Sequence, residues 1–306
     1  MKTIYKLLPV MALMLRSASM FAQTDTTSVH DTASVIAPKK SSFKIGVGYT
    51  SNSVYLGRAD TITTPSLSPK ITYTLKSGIY FSGNLDFITN RKNNKLDGGS
   101  LEAGYDHSFT DNFEGGASFT KLFYNGSSTQ VSSSVSSIFN AYVDYDIAGI
   151  VTPALSINYS FGKNGGAGGD FCINPNISHD FAVEGIFGDD DLLLISPQAG
   201  LNAGSQNFYA GYLERKGKIS RKAVNAAYNN YFNALGAFTL LDYELTLPVE
   251  YKSGGFIVSF VPSYAFAQDS LPKATLAEQV ITRNIEASQP FRSSIFYFDI
   301  ALSFKF

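Results

Sequence analysis

Three histidines, His30, His107 and His179, are the residues of this sequence best suited to act as a general base near neutral pH. A serine hydrolase would pair one of them with a nucleophilic serine and an orienting carboxylate. His30 lies in a Thr- and Ser-rich N-terminal stretch, whereas His107 and His179 lie near the short-turn ends of predicted strands. A hydrolase acting on the outer leaflet of a membrane would need its base at the opposite end. We therefore expect interfacial or interior polar roles for both, and no enzyme activity.

Carboxylates are the second group with chemical potential, because they recur on the polar faces of alternating segments. The candidates for an acidic interior surface are Asp86, Glu102, Asp106, Asp144, Asp146, Asp180, Asp242, Glu244 and Asp299, and the same faces carry Glu114, Glu184 and Glu250. The bases on these faces are Lys44, Lys70, Lys76 and Lys305. Since carboxylates in a dry core would each need a partner, the pattern indicates a wet interior that favours cations. Alternatively, many of these acids pair with loop lysines or are solvated at a rim.

Motifs for cofactors and metals are missing from the sequence: it contains no P-loop, dinucleotide fingerprint or metal-ligand cluster. The run from Gly162 to Gly169, G-K-N-G-G-A-G-G, is rich enough in glycine to suggest a phosphate cradle. It lacks the Lys-Ser/Thr ending and the following helix that such a cradle needs. We expect a flexible loop there and no cofactor.

The elements that would position these side chains are strands, and the clearest is the last one, Ser294 to Phe306. Apolar and polar residues alternate along it at a strict period of two: Phe296, Phe298, Ile300, Leu302, Phe304 and Phe306 against Tyr297, Asp299, Ala301, Ser303 and Lys305. This period predicts a strand with one apolar and one polar face. A terminal aromatic on such a strand resembles the C-terminal signature of bacterial outer-membrane β-barrels, and Phe306 is the predicted assembly signal for the barrel assembly machinery. The alternative is an edge strand of a soluble sandwich.

Twelve strands of this kind are predicted: 43–51, 67–75, 79–89, 99–109, 113–124, 135–147, 151–161, 171–184, 192–203, 233–251, 256–266 and 293–306. Tight links between them take turns with long loops at 52–66, 90–98, 125–134, 162–170, 204–232 and 267–292. Strands of about 9–11 residues with short turns on one side and long loops on the other are typical of outer-membrane barrels. The predicted fold class is all-β, a transmembrane antiparallel up-and-down β-barrel of about 12 strands, with both termini on the periplasmic side.

The N-terminal region predicts export. Residues 1–23 combine Lys2 and Lys6 with an apolar run and small residues before Gln23, the pattern of a signal peptide. Residues 24–42 are polar and are predicted to be a flexible periplasmic lead-in, which leaves 43–306 for the barrel. The single cysteine, Cys172, excludes an intramolecular disulfide and does not support a lipid anchor at the N-terminus. The predicted location is the bacterial outer membrane.

Composition agrees with a barrel in a membrane. The 18 Tyr and 24 Phe suit interfacial girdles, although Trp is absent, and the net charge of −1 argues against nucleic acid as a partner. The long loops are richer in bases, with Arg91, Lys92 and Lys95 in one and Arg215, Lys216, Lys218, Arg221 and Lys222 in another. These cations either pair with lipopolysaccharide or are ordinary solvated loop charges. Residues 276–285 show a weak helical period and could fold inward as a constriction.

One short segment resembles a known family. Gly46 to Arg58, G-V-G-Y-T-S-N-S-V-Y-L-G-R, is similar to the opening of the TorF-like putative porins, in which a first strand runs into a Ser-Asp/Asn, aromatic, Arg-Gly motif. Ser51-Asn52, Tyr55 and Gly57-Arg58 match it, with the order of the last pair reversed. The resemblance covers about a dozen residues and implies an outer-membrane channel of unassigned solute.

Three functions follow from these patterns, in order of preference. The first is a passive channel for small hydrophilic solutes that prefers cations because of its inward acids. The second is a non-conducting structural or surface-binding barrel whose lumen is closed by loops 204–232 and 267–292. The third is a lipid-modifying outer-membrane enzyme that would use His107 or His179.

Overall fold

The structure is a computed structural model, and it describes residues 40–60, 62–163, 169–215, 233–268 and 292–306. Several sequence predictions fall outside these residues. They are the signal peptide (1–23), the lead-in before residue 40, the helical period at 276–285 and the basic loop residues at 216–222.

The described chain contains seventeen strands, two short helices and a further helical segment at residues 233–235. The strands are β1 (Ser42–Thr50), β2 (Val54–Tyr55), β3 (Arg58–Ala59), β4 (Ser66–Thr74), β5 (Ile79–Ile88), β6 (Leu96–Thr110), β7 (Phe113–Tyr124), β8 (Val135–Tyr145), β9 (Thr152–Gly162), β10 (Asp170–Ser178), β11 (Phe181–Glu184), β12 (Asp191–Ile195), β13 (Gln198–Gly204), β14 (Thr239–Thr246), β15 (Val249–Ser253), β16 (Phe256–Ala267) and β17 (Ile295–Lys305). The helices are a 3-10 helix, η1 (Val131–Ser134), and an α-helix, α1 (Asn207–Arg215).

Twelve antiparallel wall strands close into a barrel. β1 pairs with β4 on one side and with β17 on the other, so the sheet has no open edge at the termini. Three wall strands are interrupted, and each consists of two pieces: β10 with β11, β13 with β12, and β14 with β15. β2 and β3 form a separate small hairpin. The predicted fold class and strand number are confirmed.

A row of prolines explains the three interruptions. The amide of His179 donates to the carbonyl of Pro197 at 3.2 Å, and that of Ser196 donates to the carbonyl of Pro248 at 2.9 Å. The amide of Leu247 donates to the carbonyl of Pro262 at 3.0 Å. Proline has no N–H. At each of these three prolines the strand pair therefore keeps the hydrogen bond to the proline carbonyl and lacks the one that a backbone amide would donate in return. The unbroken strands predicted at 171–184, 192–203 and 233–251 were therefore wrong in detail.

The predicted start of the tenth strand was also wrong. Residues 233–235 are helical, and β14 begins only at Thr239. Leu235 is fully buried, so its apolar character serves packing inside the barrel mouth. Hydrophobic pattern alone does not separate a short buried helix from a strand.

The two faces of the wall have opposite polarity. Outward-facing apolar side chains are widely exposed, with Leu101 at 60% and Phe296 at 58%. Inward-facing polar side chains are buried, with Asn174 at 2% and Ser156 at 4%. This is the reverse of a water-soluble sandwich, and it places the apolar surface against lipid and the polar surface inside. No helix in the described ranges is long and apolar enough to cross a membrane.

The seam between the first and last strands ends at Phe306. Its amide donates to the carbonyl of Phe43 at 2.8 Å, and the two rings lie 6.0 Å apart. The Phe304 ring lies edge-on at 4.7 Å from that of Phe306. The ring of Phe306 is 70% exposed, so its contribution lies in the seam and in the apolar belt.

The closed barrel predicts resistance to detergent. Every wall strand is paired on both sides over most of its length, and opening a sheet in an apolar medium leaves N–H and C=O groups without partners. Membrane-extracted protein should therefore migrate differently on a denaturing gel before and after boiling. Identical migration of the two samples would contradict the closed barrel.

Replacing Phe306 by Asp should reduce insertion. The carboxylate would enter the lipid-facing row at the closing seam, where charged substitutions destabilise barrels. The measurement is the fraction of heat-modifiable protein in isolated outer membranes, with export into the periplasm as the internal control. Phe187→Asp is the matched control, since Phe187 is 84% exposed in a turn and away from the seam. Full assembly of the Phe306 variant would show that this residue is not the assembly signal.

Candidate functional site: the barrel interior

The acids predicted for the interior lie mostly on inward-facing positions of the wall. Asp86 on β5 is 4% exposed and accepts hydrogen bonds from Ser68 Oγ at 2.8 Å and Asn84 Nδ2 at 2.7 Å. Asp144 on β8 is 6% exposed. It lies directly across from Glu114 on β7. These carboxylates therefore belong to a polar inner surface and not to the lipid-facing row.

Two tyrosines hold the next pair of acids. Tyr80 donates its hydroxyl to Glu102 Oε1 at 2.7 Å, and Tyr142 donates to Asp106 Oδ1 at 2.8 Å. Both rings lie flat over glycines, because a Cβ at Gly104 would meet the Tyr80 ring at 2.4 Å and one at Gly116 would meet the Tyr142 ring at 2.7 Å. The result is an inner patch of aromatic and carboxylate groups near the short-turn end, spanning β5 to β8.

A second group of acids lies on β14 and β17, the two strands that flank β16. Asp242 and Glu244 on β14 are 0% and 8% exposed, and Tyr297 on β17 donates its hydroxyl to Glu244. Asp299 on β17 accepts from Thr50 Oγ1 at 2.5 Å. Asp242 Oδ1 accepts from Asn202 Nδ2, also at 2.5 Å. Each acid is thus held by a polar neighbour on the inner wall.

Two predicted acids have different surroundings. Asp146 lies past the end of β8, where its Oδ1 accepts the amide of Gly149 at 2.9 Å and stabilises the turn to β9. Asp180 is half-buried at the break between β10 and β11. The alternating pattern could not separate these positions from the wall, because turn and break residues continue the same period.

Four asparagines and one aspartate form an unpredicted ladder across five adjacent wall strands. Asn140 on β8 donates to Asn158 on β9 at 2.8 Å, and Asn158 donates to Asn174 on β10 at 2.6 Å. Asn174 donates in turn to Asn202 on β13, which donates to Asp242. A side-chain amide can donate and accept at once, so the row satisfies itself without help from water.

The hairpin β2–β3 folds into the barrel mouth at the long-loop end. Its turn residues, Leu56 (φ 49°) and Gly57 (φ 70°), have left-handed backbone conformations. A Cβ at Gly57 would lie 2.8 Å from both Cβ and Oδ2 of Asp242. Val54 packs with Ala265 and Ile295 on the inner wall. The hairpin tip therefore lies against the inside of β14, with neighbouring residues against β16 and β17.

Helix α1 joins the hairpin, and we call the two together the plug. The ring of Tyr55 lies edge-on to that of Phe208 at 4.8 Å. Both belong to one apolar cluster that extends onto the inner wall and includes Leu122, Val131, Val135, Ile138, Cys172, Tyr212, Leu213, Leu235 and Leu241. Tyr212, Leu213 and Leu235 have no exposed surface. The plug is thus packed against one side of the mouth with no layer of water between them.

Asp170 fixes the start of α1 to the wall. Its Oδ1 accepts the amide of Asn207 at 2.6 Å, and its Oδ2 accepts the amide of Phe208 at 2.7 Å. Ser134 Oγ on η1 also donates to the carbonyl of Phe208 at 2.7 Å, which strengthens the attachment of the same end of α1. A carboxylate on the first amides of a helix stabilises that end, so α1 is attached to the wall at its N-terminus.

Arg58 brings a positive charge into the plug. It is 6% exposed, and its Nη2 donates to Gln206 Oε1 at 3.2 Å and to the carbonyl of Gln268 at 3.4 Å. Its guanidinium carbon lies 5.4 Å from the centre of the Tyr209 ring. It is also close enough to Asp242 to attract that carboxylate. A desolvated cation thus lies between an aromatic face and an acidic wall.

The plug tyrosines stay neutral at physiological pH. Burial raises the pKa of Tyr209, and the nearby charge of Arg58 offsets only part of that rise. Burial also raises the pKa of Tyr55 well above its usual range, and the nearby Asp170 carboxylate acts in the same direction. Neither hydroxyl therefore adds a negative charge to the mouth.

The loop base Arg91 is turned toward the protein. Its Nη1 lies 2.6 Å from Asp97 Oδ1. Asp97 Oδ2 accepts from Ser128 Oγ at 2.7 Å and Gln130 Nε2 at 2.9 Å. Ser53 Oγ donates to Gln130 Oε1 at 3.1 Å. This network links two long loops to Ser53, the residue before β2, and holds the Arg91 guanidinium against Asp97.

The two described histidines lie among aromatic rings near the short-turn end. His107 stacks on Tyr105 at 5.8 Å and lies edge-on to Phe109 at 4.9 Å, and Nδ1 is 3.0 Å from the Tyr105 hydroxyl. His179 lies edge-on to Phe181 at 4.3 Å. Among the described residues, neither imidazole is hydrogen-bonded to a serine and a carboxylate together.

Comparison with known proteins gives distant similarities of fold. No family model and no curated protein matches the chain. Among solved structures, a KdgM porin is 10% identical with a TM-score of 0.47, covering 86% of this chain and 99% of its own. A NanC porin is 10% identical with a TM-score of 0.41, covering 86% and 98%. LpxR from Salmonella typhimurium is 10% identical with a TM-score of 0.37, covering 86% and 99%.

Replacing Asn174 by Ala should weaken the barrel. The change leaves Asn158 and Asn202 without their shared neighbour in a buried row, and an unsatisfied buried polar group costs about 1–3 kcal/mol. The temperature at which the folded gel band disappears should fall. Asn93→Ala, in an exposed loop, is the matched control and should leave that temperature unchanged. An equal temperature for both variants would mean that the ladder adds no stability.

Proposed function

We propose that the protein is an outer-membrane channel through which small hydrophilic solutes diffuse. The observation that carries the proposal is the inner wall itself, which presents carboxylates, amides and hydroxyls while the outer wall is apolar. A barrel of 12 strands lies between the 8-stranded barrels filled by side chains and the 16–18-stranded porins. Its bore is therefore suited to small solutes.

We infer a preference for cations from the charges of the inner wall. Glu102, Asp106 and Asp144 come from adjacent parts of β6 and β8 and form, with two tyrosines, an acidic patch away from the plug. The inward lysines of β1 and β4, Lys44 and Lys70, lie on a different sector of the wall. In a confined bore such fixed charge is poorly screened and raises the local concentration of cations.

The plug defines the narrow part of this path. It occupies one side of the mouth at the long-loop end, whereas the acidic patch lies nearer the short turns. A solute would therefore pass the plug and the acidic patch in sequence. Rejection by size is expected at the plug and discrimination by charge at the patch.

The export and membrane predictions complete the proposal. Residues 1–23 as a signal peptide, Phe306 as the signal for the barrel assembly machinery, and lipopolysaccharide as a neighbour of the loop bases all fit an outer-membrane location. The similarity of Gly46 to Arg58 to the TorF-like putative porins points in the same direction. In the structure, Gly57 and Arg58 of that segment form the plug tip, so its residues have a structural role in this chain.

A second function is favoured by one observation. The complete burial of Tyr212, Leu213 and Leu235 is what a barrel closed by its loops would show. Such a protein would be a structural or surface-binding barrel without conduction. Current through single molecules in a planar bilayer separates the two functions: stepwise conductance supports the channel, and its complete absence from heat-modifiable protein supports the closed barrel.

Neutralising the acidic patch should lower cation preference. In the triple variant Glu102→Gln, Asp106→Asn and Asp144→Asn, the three inward charges are removed while size and hydrogen-bonding groups are kept. The reversal potential in a salt gradient should move toward zero, most clearly at low ionic strength where the Debye length exceeds about 10 Å. Glu184→Gln is the control, because Glu184 is exposed at the end of β11. An unchanged reversal potential in the triple variant would contradict selection by these acids.

A further inference from the structure

We propose that the plug is a gate, which swings away from Asp242 about the attached N-terminus of α1 and exposes the covered sector of the mouth. The purpose of such a gate rests on the proposed channel function. The movement itself can be tested without any conduction. Hairpin β2–β3 and helix α1 would move as one body, because Tyr55 packs on Phe208 and Arg58 lies over Tyr209.

The first observation behind the gate is the nature of its contact with β14. Gly57 lies so close to Asp242 that no side chain fits between them. Asp242 Oδ2 is buried and has no hydrogen-bond partner in the described structure. A carboxylate oxygen and a guanidinium are thus both kept from water by a contact that only the docked hairpin provides. Withdrawal would hydrate both groups, and this partly compensates for the apolar contacts that are lost.

The second observation is the tight turn at the tip. Leu56 has a φ of 49° and Gly57 a φ of 70°, and Leu56 is 4% exposed. Positive φ at both central residues is what a two-residue hairpin turn requires, so this geometry belongs to the hairpin itself. The tip therefore keeps its shape when the hairpin leaves the wall, as the movement of one body requires.

The third observation is the uneven attachment of α1. Its first amides are fixed by Asp170 at the end of the wall. The side facing η1 makes one hydrogen bond, from Ser134 Oγ to the carbonyl of Phe208 in the first turn of α1. Further along the helix the contact is by packing, since a Cβ at Gly211 would lie 3.2 Å from Ser134 Cβ. The fixed N-terminus of α1 can therefore act as a hinge, and the face of the helix beyond it can separate from η1.

Cys172 offers a natural probe of the movement. Its thiol is free, 4% exposed and part of the cluster that the plug covers. A charged, membrane-impermeant thiol reagent should label it slowly in the native barrel, through transient opening. In Asp242→Asn, the wall loses the negative charge that attracts the buried Arg58, and the labelling rate should rise about tenfold or more. Asp86→Asn, a buried inner-wall acid on another sector, should label like the unchanged protein.

A disulfide tests the same movement from the other side. Cysteines at positions 134 and 211, introduced as Ser134→Cys and Gly211→Cys with Cys172→Ser, would place two Cβ atoms near the about 3.5–4.5 Å that a disulfide needs. Oxidation should abolish the channel openings that depend on the gate, because the disulfide excludes the undocked state. Reduction should restore them. Each single-cysteine variant, oxidised in parallel, should show no change.

The outcomes separate the gate from the channel. The gate is contradicted if heat-modifiable Asp242→Asn labels no faster than Asp86→Asn. It is equally contradicted if the verified disulfide leaves the openings unchanged. If no form of the protein conducts, the channel function fails, and the labelling rates of Cys172 still decide whether the plug moves.

Discussion

Closure of the sheet between β1 and β17 is the constraint on which the rest of the structure depends. In the apolar part of a bilayer, an unpaired N–H or C=O costs several kcal/mol, so a strand at an open edge is not tolerated. Pairing of the first strand with the last removes both edges at once. All other features, including the interrupted strands and the inward hairpin, are allowed because the circuit of backbone hydrogen bonds is complete.

Closure also dictates what the interior can contain. Because side chains alternate between the two faces of a strand, the residues between the lipid-facing apolar ones must face inward. In this chain those inward residues are polar. A polar interior has to satisfy its own hydrogen bonds, which explains the asparagine row and the tyrosine–carboxylate pairs. At the mouth, the solution is different: apolar residues from α1 and the hairpin fill the space beside Leu122, Val135 and Ile138. The barrel thus has a polar section and an apolar section in series.

The strands were predictable from sequence, and the plug was not. A period of two is a local signal, so β7 was predicted with its observed limits, Phe113 to Tyr124. The inward position of Asp144 follows from the same period. By contrast, contact between Gly57 and Asp242 joins residues far apart in the chain, and no local pattern reports it. A signal was present in Leu56-Gly57, since a glycine after a bulky residue suits a tight hairpin turn, but its docking partner could come only from the fold.

The hydrogen bonds of the asparagine row all run from donor to acceptor in one direction around the wall. This order restricts how the number of strands can change in evolution. Each amide passes a hydrogen bond to the next strand, from Asn140 toward Asp242, and the carboxylate ends the series because it can only accept. A duplicated hairpin inserted within this sector would need an asparagine at the same height on both new strands to keep the relay intact. An insertion among β4 to β6 would instead separate Ser68 from Asp86 or Ser100 from Asn84. Growth or loss of strand pairs in descendants of this barrel should therefore require different compensating residues on the two sides of the wall.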